Sequence, residues 1–148
     1  MIEREVTKAV VTVQTNVGLR VLMSIKRDRG RRTDGKLEFL GGRLDEGENP
    51  REGLLRELSE EEGTGMLARV ASVRAGRRHL IVVSDVLHYV YVIHLVSPEH
   101  RLLVPHPDES LGFRLVSERT LTANPRDLTS KTRKIFKEIG SIESLHAR

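Results

Sequence analysis

Between Gly41 and Thr64 the chain reads GGRLDEGENPREGLLRELSEEEGT, and this spacing of glycines, arginine and glutamates dictates a turn followed by a helix. Asn49 is a strong N-cap, Pro50 suits the first helical position and Glu52 stands three past the cap, so the helix is predicted to begin at Pro50. Leu54, Leu55 and Leu58 then share one side at the spacing of a face packed on a core. Gly63 offers a residue able to take the left-handed conformation that ends a helix. Gly53 in the interior costs about 1 kcal/mol against alanine, which packing has to offset. Glu57, Glu60 and Glu61 fall at i, i+3 and i+4, where like charges share a face and repel. Something positive belongs among them.

Hard oxygen donors select Mg²⁺ or Mn²⁺, and with no cysteine in the chain no thiolate competes for the ion. The plain alternative for a run such as ELSEEE is a solvated acidic helix face. The surrounding pattern decides between them. From Gly42 the chain reads G-x5-E-x7-R-E-L-x-E-E-x-G-T, which resembles the signature box of the Nudix hydrolases at Gly42, Glu48, Arg56, Glu57, Leu58, Glu60, Glu61 and Gly63. Two neighbours depart from the family pattern. Thr64 stands where an aliphatic residue is usual, and Leu40 where proline often precedes the paired glycines. The segment KLEFLGGRLDEGE is similar to the corresponding segment of MutT-type pyrophosphohydrolases.

A chain of 148 residues reads as one domain, 1–148, long enough to bury roughly two-thirds of its unfolded surface. It is 38% hydrophobic and 31% charged, and no apolar run approaches the ~20 residues a membrane span requires. The first residues, MIEREVTK, place acids where a signal peptide wants basic charge, and the apolar run Ala9 to Val13 is too short for one. The absence of cysteine excludes disulfides and fits a reducing cytoplasm. No repeat, low-complexity tract or linker stands out.

Along the chain, Thr7 to Gln14 and Leu19 to Ile25 are predicted strands of a hairpin turning at Asn16 to Gly18. A short strand, Lys36 to Leu40, leads to the glycine pair. A further strand is expected within Met66 to Ala75, then Leu80 to Val83 and Val86 to Val96; the last is nearly all apolar, as in a strand covered on both faces. His88 and His94 share a side of it by parity, and with no third nitrogen or sulfur ligand, packing or hydrogen bonding accounts for them better than a metal. Ser97 to Gly112 reads as a loop before a strand at Phe113 to Val116. The last helix is predicted over Ser130 to Ile139, with Ile135, Phe136 and Ile139 facing inward and Gly140 ending it; the tail, Ser141 to Arg148, is expected to fray. The expected fold is α/β, a Nudix-type α/β/α sandwich with a mixed sheet between the box helix and the C-terminal helix.

The resemblance implies that the carbonyl of Gly41 and the carboxylates of Glu57, Glu60 and Glu61 hold a divalent ion, Mg²⁺ with Mn²⁺ as substitute, and that these acids carry the catalysis. An acid from a later loop often joins them, and Asp108 or Glu109 stands in the right place, weighed evenly against ordinary loop acids. The candidate general bases are Glu57, Glu61 and that pair. Gly42, Glu48, Arg56 and Gly63 would support the site, with a Glu48–Arg56 salt bridge fixing the loop against the helix. Asn124 is similar in setting to a MutT-type asparagine that reads a purine base.

Six basic residues crowd Lys26 to Lys36, and Arg74, Arg77 and Arg78 form a second group. Phosphate contacts and a solvated loop are equally good accounts of them, and Lys26 and Arg27 are the substrate-binding candidates. An extended nucleic-acid surface is disfavoured by two tyrosines, three phenylalanines and no tryptophan.

Substrate choice lies outside the box. No proline or tyrosine stands at the customary distance beyond Gly63, and no coenzyme A pattern precedes Gly41. The default is a (deoxy)nucleoside triphosphate or another nucleoside diphosphate derivative, an oxidised purine triphosphate being one version. An RNA 5′ end and a nucleotide-binding module without catalysis are the alternatives, and the intact acids argue against the second. A homodimer stays open.

Overall fold

The computed structural model describes residues 2–142 and Leu145. Its centre is β1 (Arg4–Thr15), a strand whose valines, with Thr7 and Thr12, are buried on both sides. Such β-branched residues suit a pleated surface covered by two layers. β1 runs parallel to β6 (Val86–Val96) from Arg4↔Val86 to Gln14↔Val96, and β6 pairs in turn with the edge strand β5 (Arg78–Val83). On its other side β1 changes partner. Val11–Thr15 pair with β2 (Gly18–Lys26), whereas Val6–Ala9 pair with β4 (Leu40–Arg43). β2 continues away from β1, flanked by β3 (Leu37–Glu38) and β7 (Ser110–Val116). The sheet is therefore split where β4 replaces β2, and the split opens next to Gly41.

Two helices cover one face. α1 (Pro50–Glu61) starts where its cap signals placed it, with the Asn49 side chain accepting from Glu52 N at 2.9 Å. Leu54 and Leu58 are fully buried against Ala9, Val11, Val13, Ile93 and Leu95. The interior glycine has a packing reason: a Cβ at Gly53 would stand 2.1 Å from Leu44 Cδ2, so the missing side chain makes room for the 44–48 loop. α2 (Met66–Arg74) occupies the segment in which a strand was expected. Leu67 and Ala71, one helical turn apart, are its buried residues. Contacts from outside decide this: the Glu62 carboxylate accepts from Leu67 N, and Arg51 of α1 donates to the carbonyls of Ser72 and Ala75 at 2.5 and 2.7 Å. A cap and a clamp supplied by other elements outweigh the weak strand preference of two valines.

Gly63 does not take the left-handed conformation expected of it. Glu62 ends α1 in an extended conformation, Gly63 N donates to Val104 O at 2.7 Å, and Gly65, φ +78°, makes the left-handed turn into α2.

The opposite face is covered by α4 (Ser130–Ile139), preceded by the short α3 (Glu118–Ala123). α4 buries Ile135 and Ile139 against Val10, Val21, Met23, Phe39 and Val90, and ends at Gly140, φ +82°. Of the tail expected to fray, Ile142 and Leu145 are instead buried in this cluster. Met1, Glu143, Ser144 and His146–Arg148 lie outside the described residues. No described helix is long and apolar enough to cross a membrane.

Candidate active site

The split beside β1 brings the box acids onto a backbone turn. At Gly41 the chain has φ +126°, and a Cβ there would lie 2.2 Å from Thr7 O, so only glycine fits. The Gly41 amide is thereby turned out of the ladder toward α1 and donates to Glu61 Oε1 and Oε2 at 3.1 and 3.2 Å. At Gly42 a Cβ would stand 2.6 Å from the Glu57 carboxyl, so that carboxyl fills the space a side chain would take. The last two turns of the helix rest directly on the two glycines.

Arg56 organises the rest. Its Nε donates to Glu48 Oε2 at 2.8 Å and its Nη2 to Glu48 Oε1 at 3.0 Å, a two-point pair that joins the loop to the helix. Nη2 also reaches Arg43 O at 2.9 Å, while Nη1 lies 3.1 Å from both Glu57 Oε1 and Glu60 Oε1. The hydrogen bond to Arg56 holds the Glu48 carboxyl below the usual range. Glu60 is half-exposed, whereas Glu57 is largely buried.

Burial works against charge on the inner pair. It pushes Glu57 up, with Arg56 opposing. Glu61 is pushed up to about 8, again by burial, with Lys8 and the Gly41 amide pulling the other way. Lys8 comes from the α4 face of β1, opposite Gly41 in register, and its Nζ donates to Phe39 O at 3.3 Å. Carboxyls held above their ordinary range by burial are stabilised as anions by an added cation, and a carbonyl and three carboxylates are hard donors. The residues present therefore suit Mg²⁺ or Mn²⁺. Among the described residues no three acidic or histidine side chains already converge at ligand spacing; the acids rest on Arg56 and on the Gly41 amide.

The remaining candidates are dispersed. Lys26 Nζ stands 3.8 Å from Glu38 Oε2. Arg27 Nη1 donates to Pro107 O at 3.0 Å and so holds the loop that carries Asp108 and Glu109. That loop is tied to the end of α1, with His106 N donating to Glu61 O at 2.8 Å. Asp108 and Glu109 themselves are exposed, and Asp108 Oδ2 stands 3.9 Å from His106 Nδ1. Asn124 ends α3, its Nδ2 donating to Thr120 O at 3.2 Å, on the face away from the box helix. His94 Nδ1 pairs with Thr12 Oγ1 at 2.9 Å. His88 is buried, and among the described residues its ring nitrogens have no well-formed hydrogen bond; burial pushes the imidazole down, the backbone at Ile81 and Val86 opposes, and the fields of Lys8 and Lys131 add to the downward effect.

Two residues of this region were missed by reasoning from sequence. Glu62, the fourth acid of the run, is fully buried and accepts from Thr64 N, Thr64 Oγ1, Leu67 N and Val104 N at 2.7–3.2 Å. Burial raises its carboxyl, but these donors outweigh it and the net shift is downward. Lys8 is the other, and its signal was a single lysine inside an otherwise buried β-branched strand.

The NUDIX domain model matches residues 6–139, so the chain belongs to the NUDIX family. Solved structures share the fold. RenU, a Nudix hydrolase of M. smegmatis, superposes with a TM-score of 0.73 at 14% identity over 96% of this chain and 86% of its own. The bifunctional NMN adenylyltransferase/ADP ribose pyrophosphatase of Francisella tularensis, solved with AMP and a Mn ion, gives 0.70 at 14% identity. The match covers 92% of this chain and 40% of that one, so this chain spans well under half of the bifunctional protein. The MutT protein of Methanosarcina mazei Go1 gives 0.62 at 18% identity over 95% and 96% of the two chains. Comparison with curated protein sequences finds no match.

Proposed function

We propose that this protein is a Mg²⁺-dependent pyrophosphohydrolase of a nucleoside diphosphate derivative, a (deoxy)nucleoside triphosphate before others, with an oxidised purine triphosphate as one version. One observation carries the reading. Glu57 and Glu61 rest on the Gly42 and Gly41 backbone, with Glu60 held nearby on Arg56, while burial disfavours charge on the inner two. Such a site gains most from a divalent ion, and hence from a substrate that comes with one.

Gly41 through its carbonyl, with Glu57, Glu60 and Glu61, would hold the ion, and Asp108 or Glu109 would join from a loop already tied to the end of α1. When bound, the ion supplies positive charge against the phosphate oxygens and makes the attacking water more acidic. The chain's own residues place and screen. A water oxygen attacks one phosphorus of the anhydride, the bridging P–O bond breaks, and the bridging oxygen leaves with the other fragment. The water's proton passes to a carboxylate, for which Glu57, Glu61 and the Asp108/Glu109 pair are the candidates. Arg56, through Glu48, keeps the loop and helix in one arrangement, and Gly42 leaves room for the Glu57 carboxyl. Lys26, Arg27 and Asn124 are assigned to the substrate. The setting of the reaction is taken to be the cytoplasm.

The test is a phosphate-release screen over nucleoside triphosphates, dinucleotides, sugar nucleotides and capped RNA, with and without Mg²⁺. Mg²⁺-dependent release is expected, and Glu61→Gln lowers it by orders of magnitude while the fold persists. A variant that kept more than about a tenth of the wild-type rate, under ~1.4 kcal/mol in barrier, would remove Glu61 from the chemistry. An RNA-end enzyme would show itself by steep loss of affinity with added salt, because several phosphate contacts release counterions.

A further inference from the structure

β5 is the last strand of the sheet on the β6 side, and among the described residues no further strand pairs with its outer side. Such an edge leaves a row of backbone N–H and C=O groups open, and monomeric proteins blunt it with a bulge, a proline or a charge inside the strand. β5 carries little of this protection. Its register with β6 runs unbroken from Arg78↔Tyr91 to Val83↔Val86, and after Arg78 it reads HLIVV, without proline or formal charge. Arg78 itself is folded back over the Tyr89 ring, 5.2 Å from its centre. Ile81 and Val83 turn toward the α4 cluster. Leu80 and Val82, on the other face by alternation, are 60% and 55% exposed. Tyr89 and Leu87 stand opposite them on β6, so an apolar strip crosses both strands. A depression of about 550 Å³ lies against the edge, lined by residues 77–82 with Glu138, Ile139 and Leu145.

The open backbone would accept any extended strand, but the order of its side chains selects a second copy of the same one. Two copies of a strand can pair antiparallel about a two-fold axis only where some residue faces itself. With the axis at Ile81, Leu80 faces Val82 of the second copy and Val82 faces its Leu80, so the apolar strip continues from one sheet into the next. Arg77, exposed four residues before the axis, comes opposite Asp85, exposed four residues after it in the Ser84–Asp85 turn. Among the described residues neither Arg77 nor Asp85 forms an ion pair within its own chain. Shifting the axis by one residue spoils the match. At Leu80 it sets Arg77 against Val83 and Arg78 against Val82; at Val82 it sets Leu80 against Ser84 and Arg78 against Val86. Only the axis at Ile81 answers the exposed apolar pair and the opposite charges together.

We infer that the β5 edge is where a second copy of this chain docks, the two strands pairing antiparallel about a two-fold axis at Ile81 so that the two sheets become one. An interface of this kind uses the same patch on both copies and closes at two. The split and the Gly41–Gly42 turn lie on the other side of β1 from β5, so each copy keeps its own site open.

A contact one strand long is small, so sedimentation equilibrium of the full chain should show a dimer that dissociates at roughly 1–100 µM. Val82→Lys puts a charge into the apolar strip, and Arg77→Asp sets an acid against Asp85; each weakens association at least tenfold. Arg77→Asp combined with Asp85→Arg restores association to within about threefold of wild type, because the exchanged charges meet again in the same register. These side chains are exposed, so the variants melt within a few degrees of wild type. Leu80→Thr, which keeps a β-branched strand former and removes apolar area, weakens the dimer without adding charge to the strand. A wild type that stays monomeric throughout this range leaves the edge to an extended segment of some other protein and overturns the inference. A dimer indifferent to both Val82→Lys and Leu80→Thr places the contact elsewhere and overturns it as well. Failure of the charge exchange to restore association does the same, since a different register would gain nothing from it.

Discussion

Glu61 and Gly41, twenty residues apart, meet where both carboxylate oxygens accept from one backbone amide at 3.1 and 3.2 Å. The contact ties the end of α1 to the start of β4, and it holds a carboxyl in a place where burial pushes it up to about 8.

That shift makes stability depend on pH. An acid raised in the folded state binds its proton more tightly there than in the unfolded chain, so its contribution is complete below about 4.5 and is lost as pH rises toward about 8. Glu57, also pushed up by burial, acts in the same direction. Urea unfolding in EDTA should show wild-type stability falling by a few kcal/mol at most between those limits. Glu61→Gln should flatten most of the slope, and Mg²⁺ should reduce it by binding the ionised form. Parallel slopes for the two proteins would refute the link.

The two glycines of the turn should respond differently to alanine. In Gly41→Ala the new Cβ meets the Thr7 carbonyl at 2.2 Å on a strand buried at the centre of the sheet, at φ +126°, so a loss of about 3 kcal/mol or more is expected. In Gly42→Ala the obstacle is the Glu57 carboxyl, the far end of a side chain that can swing away. There the cost in stability is about 1 kcal/mol, while the apparent Mg²⁺ affinity falls at least tenfold. Thermal melts and metal titration of the activity distinguish the two, and equal stability losses would count against this geometry.

Arg56→Lys should lower both Tm and rate, although charge is kept. A lysine cannot make the two-point pair with Glu48 while also bonding Arg43 O, Glu57 and Glu60. We expect at least a tenfold drop in kcat/KM, measured beside a melt; wild-type values for both would show that Arg56 acts only as a positive charge.

Glu62 should separate structure from chemistry inside one acidic run. Glu62→Ala leaves the amides of Leu67 and Val104 without their acceptor, for a loss of about 2–4 kcal/mol. Its lowered carboxyl contributes stability above about 4.5 that disappears as pH falls through the depressed value, opposite in sign to Glu61. The Mg²⁺ concentration giving half-maximal rate should be unchanged in the fraction that remains folded, and a large shift in it would contradict a purely structural role.

The sequence by itself determined what local rules govern. The start of α1 follows from Asn49 and Pro50 and the end of α4 from Gly140, and the two-sided burial of β6 follows from its apolar run. The co-facial acids followed from helical period, and the Glu48–Arg56 pairing from the box it resembles. Only the tertiary structure decided what depends on contacts distant in the chain. Met66–Arg74 is a helix because Glu62 and Arg51 hold its two ends. Gly53 is open because Leu44 needs the space, and Gly65 rather than Gly63 takes the left-handed turn because Gly63 is bonded to Val104. The site itself joins Gly41 of β4 to Glu61 of α1, and Arg56 of α1 to Glu48 and Arg43. Period and capping are properties of neighbours along the chain, whereas the Gly41–Glu61 contact exists only once β4 has taken its place beside β1 and α1 has docked against it.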